Sequence, residues 1–149
     1  MMTTSPRGFT LLIAVILSSV LVAVGLALVD IAYKQVILSS TARNSQVAFY
    51  NADSALECGL YADQQFNAFS AAVATTSIRC NNQTVAVTAA VSGAVRTSTM
   101  TIPCTPSGSN ARVTITKNMS GATGIYATGY SSCVTTDQRR VERGLKVTY

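Results

Sequence analysis

Four cysteines, Cys58, Cys80, Cys104 and Cys133, carry the most definite chemistry in this chain. Their spacings contain no short Cys-x-x-Cys knuckle and the sequence has no histidine, so a metal site is not spelled out. An even number of cysteines, all beyond a long apolar run, points instead to disulfides in an exported domain. The spacings alone leave the pairing open. TVAVTAAV and AVRTSTMTI alternate around Ser92–Gly93, a hairpin signal, and that register lays Cys80 opposite Cys104. Elimination then pairs Cys58 with Cys133.

Other chemistry is sparse. Asp53 and Glu57 form an acidic i,i+4 pair that reads as a solvated helix face, with no catalytic partner in view. The missing histidine removes the usual general base, and no phosphate loop, nucleophile elbow or paired catalytic acids occur. The reading is therefore not an enzyme, with no cofactor and no metal. The formal charge of +5 is partly local. Arg139, Arg140, Arg143 and Lys146 gather near the C-terminus, as a solvated edge or, alternatively, a contact for a polyanion such as DNA. Asn82 and Asn118 begin Asn-x-Ser/Thr triplets, which arise easily in such a composition.

The elements that must hold these residues begin with the run from Phe9 to Val29, broken only by Thr10, Ser18, Ser19 and Gly25. About 21 helical residues reach roughly 31 Å, enough to cross a bilayer core. The run is longer than a signal peptide's apolar core and lacks a clean small-residue cleavage site before Asp30, so it reads as a retained anchor. Arg7 and the initial amino group favour a cytoplasmic N-terminus. No proline lies between Arg7 and Pro103, and Gly25 and Gly59 are the only glycines from Phe9 to Phe66. One helix to about Phe66 is expected, with Gly25 its weak point. Ile31, Val36, Val47, Tyr50, Leu56 and Leu60 give its second half an amphipathic character.

Beyond it, 67–77 reads as a loop and PCTPSGSN (103–110) as a linker. The hairpin, ARVTITK, IYATGY and RRVERGLKVTY read as strands, with NMSGATG a turn. The last strand places Val141, Leu145, Val147 and Tyr149 on one face and Arg140, Glu142, Lys146 and Thr148 on the other. Only 11% of the residues are charged, and the Thr, Val, Ser and Asn content suits an exported β-rich domain. The fold class is α+β: a long N-terminal transmembrane helix whose C-terminal half packs on a four- or five-stranded, mostly antiparallel sheet.

RGFTLL at the head of the apolar run resembles the class III signal of type IV pilins and type II secretion pseudopilins. AFYNADSALECGLYAD, Ala48 to Asp63, resembles the A-x-Y-x-A-D-[SA]-x-x-E pattern of PilX-like minor pilins. The resemblance implies the pilin fold and three segments: a leader at 1–8, a transmembrane and filament-core half at 9–29, and a periplasmic or extracellular head at 30–149. It implies cleavage by a prepilin peptidase between Gly8 and Phe9, and N-methylation of Phe9.

Ile13 departs from this pattern, because major pilins carry glutamate at the fifth mature position. The resemblance therefore implies a structural subunit of a type IV pilus or related pseudopilus that is minor or tip-located. Its implied partners are other pilin subunits through the N-terminal helix, the prepilin peptidase, a membrane assembly platform and a surface ligand or DNA. It would be a single-pass membrane protein before assembly and part of an extracellular or periplasmic filament afterwards. The alternative is a singly anchored surface binding module, for adhesion or DNA capture, that never polymerises.

Overall fold

The computed structural model describes residues 7–70, 76–104 and 111–149. The first six residues of the expected leader, part of the expected loop (71–75) and most of the expected linker (105–110) lie outside them. One helix, α1, spans Arg7–Phe66 and continues through Gly25 without a break. By packing the chain divides into Met1–Ser40 and Thr41–Tyr149.

Within the first unit, every large apolar side chain from Phe9 to Leu38 is exposed, from 40% at Ile13 to 71% at Leu21. Its mean hydropathy peaks at 2.9, and α1 is the one helix among the described residues long and apolar enough to cross a membrane. An anchor and a signal sequence both meet that description.

The second unit is α+β, as expected, but its sheet has six strands. They are β1 (Ser77–Cys80), β2 (Gln83–Ser92), β3 (Val95–Ile102), β4 (Ala111–Asn118), β5 (Thr123–Tyr130) and β6 (Glu142–Thr148). Each pairs antiparallel with its sequence neighbour, giving the order β1-β2-β3-β4-β5-β6. The additional strand is β1, set apart by a tight turn in which Asn81 and Asn82 both adopt positive φ (47° and 65°). Two left-handed residues make the I′ geometry that suits a twisted hairpin, and asparagine tolerates it. At the next hairpin the turn falls on Gly93–Ala94, with Ser92 opposite Val95. Left-handed Gly93 (φ 59°) occupies its first central position.

The helical residues of this unit bury a stripe of small side chains: Ala48, Ala52, Ala55, Leu56, Gly59 and Ala62. Steps of three and four keep them on one face. Against them stand successive rungs of the sheet, one being Val87, Met100, Val113, Ala127 and Leu145, another Ser98, Ile115, Ile125 and Val147. Alternation along each strand sends these residues inward and the intervening threonines outward. Polar groups flank the alanine stripe: Asn51 Nδ2 donates to the Tyr130 carbonyl (2.9 Å), Arg143 Nε to Ser45 Oγ (2.7 Å) and Asn81 Nδ2 to Ser54 Oγ (3.2 Å).

The disulfides correct the expected pairing: Cys58 bonds Cys80 and Cys104 bonds Cys133, each with Cα atoms 5.9 Å apart. The Asn81–Asn82 reversal puts β2 between the strands that lead to Cys80 and Cys104. Two strand spacings are about 9–10 Å, beyond the roughly 7 Å a disulfide can span. Cys80, buried at the end of β1, reaches α1 instead. Cys104, just past β3, ties to the segment between β5 and β6.

Candidate functional site

The largest candidate surface is the N-terminal stretch of α1, where Phe9 stands in the first turns. A polar group facing lipid or a dry helix bundle must be satisfied from within its own helix. Ser18 Oγ donates to the Val15 carbonyl (2.9 Å) and Ser19 Oγ to that of Ile16 (2.8 Å), so both hydroxyl protons are already used. Charge returns at Asp30, whose carboxylate meets Lys34 Nζ at 2.7 Å. Both members are exposed, so the pair contributes little to stability, but it leaves this boundary without net charge.

A second site, closed and charged, lies in the second unit. Asp63 falls in step with the alanine stripe and its side chain is only 3% exposed. Lys117 Nζ reaches both carboxylate oxygens, at 2.8 and 3.1 Å, and the Tyr149 hydroxyl donates to Oδ2 at 2.7 Å. Strand register places Lys117 opposite Thr123 on β5. Thr123 in turn exchanges backbone hydrogen bonds with Tyr149 (2.8 and 3.0 Å). One helical residue thus clasps β4 and the residue just past β6 from beneath. Asn67, left-handed at φ 48°, stops the helix four residues further on, a position asparagine tolerates. The clasp was missed in the sequence, although Asp63 continues the three- and four-residue steps that run from Ala52 through Ala55 or Leu56 to Gly59.

Burial, with the hydrogen bond to Asp63 and its negative charge adding to it, pushes the Tyr149 phenol well above its ordinary 10.0. A raised pKa means that the fold favours the protonated phenol. The contribution is fully present below about pH 10 and is lost as pH rises towards the folded value. The expected outcome is a melting temperature that falls above about pH 10, and falls less steeply in Tyr149→Phe. Thermal melts of both proteins between about pH 8 and 11.5 check it.

The C-terminal cations do not form one patch. Arg143 faces the helix, where it bonds Ser45, while Lys146 stands on the opposite face of β6. The Arg140 guanidinium lies 3.8 Å over the Tyr130 ring and its Nε donates to the Ser132 carbonyl. Arg139 is exposed, its carbonyl accepting from Asn44 Nδ2 at 3.4 Å. Alternation on β6 and the stapled loop before it divide what the sequence lists side by side. Among the described residues no group of three or more His, Cys, Asp or Glu could hold a metal ion. The chain matches no family model, no curated protein and no solved structure.

Proposed function

We propose that this chain is a subunit of a type IV pilus or related secretion pseudopilus, in a minor or tip position. The observation that carries the reading is the apolar surface of α1 from Phe9 to Leu38, exposed on every side of the helix. In water so extensive an apolar surface must be covered. Lipid covers it before assembly and neighbouring helices cover it afterwards. The disulfide-bonded head supplies the solvent-facing part, and no catalytic step is required of it.

Ile13 sets the position. The amino group released by cleavage before Phe9 is a cation, costly in lipid or a dry bundle without a countercharge. Ile13 cannot provide one, and a serine hydroxyl can accept a hydrogen bond but carries no charge. In a repeating shaft this deficit would recur in every subunit, whereas at a tip it occurs once.

Filaments sheared from cells that express the chain, analysed by quantitative mass spectrometry, provide the test. The expected result is an N-terminal peptide that begins at N-methylated Phe9, at a small fraction of the most abundant subunit. An intact leader in cells with active prepilin peptidase overturns the pilin reading. Stoichiometry equal to the most abundant subunit overturns the tip position. Processed chain confined to the membrane fraction favours the singly anchored module.

A further inference from the structure

The outer face of the sheet carries a groove that no part of the filament reading uses. It has a volume of about 480 Å³ and runs over β4, β5 and β6, within the range of small-ligand sites. Its floor is Gly124, which stands between Thr116 and Thr148 in the register. A Cβ placed at Gly124 would approach only the Thr116 carbonyl oxygen, at 4.0 Å, so the depression exists because this position has no side chain. The next rung holds Tyr126 between Thr114 and Lys146.

Tyr126 shapes one end of the groove. Its phenol occupies the space that a side chain at Gly144 would need, so the ring lies down across β6 instead of standing away from the sheet. Even so it remains 48% exposed. Among the described residues, the hydroxyls of Thr114, Thr116 and Thr148 and the Lys146 ammonium have no protein partner. The groove thus offers a recumbent aromatic ring, several uncommitted hydroxyls and one cation.

We propose that this groove binds an anionic saccharide, with a uronic acid unit seated over Gly124. A pyranose ring has apolar C–H faces suited to an aromatic platform and equatorial hydroxyls suited to threonine hydroxyls, which both donate and accept. Its carboxylate pairs with Lys146 in a charge-assisted hydrogen bond. A single-stranded nucleic acid fits less well, because successive bases need successive aromatic platforms along a cationic track. Here there is one ring and one cation.

The test uses the full-length chain in detergent micelles and calorimetric titration with three probes: tetragalacturonic acid, its methyl ester, and an oligothymidylate. The expected result is saturable binding of the acid, about tenfold weaker binding of the ester, and the same tenfold loss for the acid with Lys146→Gln. Gly124→Val, which fills the floor with a residue that suits a strand, abolishes binding of the acid. Should that variant fold poorly, the Lys146→Gln and methyl-ester comparisons still decide. Equal affinity for acid and ester, no binding of the acid, or tighter binding of the oligothymidylate overturns the proposal.

Discussion

Gly129→Ala is expected to lower the stability of the α+β unit by about 3 kcal/mol or more, a loss of about 10 °C or more in melting temperature. Gly129 lies on β5 beneath the alanine stripe, where strand backbone meets helix backbone. A Cβ there would collide with the Ala48 carbonyl oxygen and with the Ala52 nitrogen and Cα. No rotamer change relieves a clash with main-chain atoms, so the helix must lift from the sheet and uncover the core around Val113, Ile125 and Ala127. Truncating Ala52 to glycine in the same chain should not restore stability, because the obstructing atoms remain. Gly59→Ala provides the contrast. Its Cβ would meet Met100 Cε and Val113 Cγ1 at 3.4 Å, side-chain ends that can yield. Alanine also gains up to about 1 kcal/mol of helix propensity, so that variant is expected to melt within a few degrees of the parent. Thermal melts of the full chain in micelles, followed by circular dichroism, compare the three. Equal losses at Gly129 and Gly59 would show that backbone contact does not set this interface.

Lys117→Met is expected to cost about 3 kcal/mol. The substitution leaves the Asp63 carboxylate buried with only the Tyr149 hydroxyl and no countercharge. Lys117 is itself 23% exposed, so water entering beside the shorter side chain moderates the loss. Asp63→Leu combined with Lys117→Met is expected to recover most of it, because the buried charge departs with its partner. A double-mutant cycle on chemical denaturation reads the coupling. Additive losses would mean that the ion pair is incidental to how the helix seats on β4.

Local signals carried far in this chain. The apolar run, the absence of proline between Arg7 and Pro103 and the scarcity of glycine specify α1 and its end near Phe66, since helix formation depends on residues within a turn of one another. Period-two alternation likewise marks β2 to β6 and the inward set Leu145 and Val147. The strand that escaped notice, β1, is four residues long, too short for alternation to stand out. The turn that reveals it, Asn81–Asn82, lacks the glycine that usually signals such a reversal.

That one turn shows where sequence stops and tertiary structure begins. Four cysteines, an even number and all beyond the apolar run, already pointed to disulfides. Which sulfurs meet depended on where the chain reverses, and a missed hairpin relocates Cys80 from the edge of β3 to the surface of α1. The same holds for charge. Arg143 and Lys146 are close in sequence yet on opposite faces of β6, while Asp63, Lys117 and Tyr149 are distant in sequence and joined at one point. Residue type and spacing set the period of each element because their energetics are local. Which side chains converge is decided by register and by how closely two backbones can approach. Those terms involve residues scores of positions apart, and a glycine such as Gly129 acquires its role only once a helix lies across it.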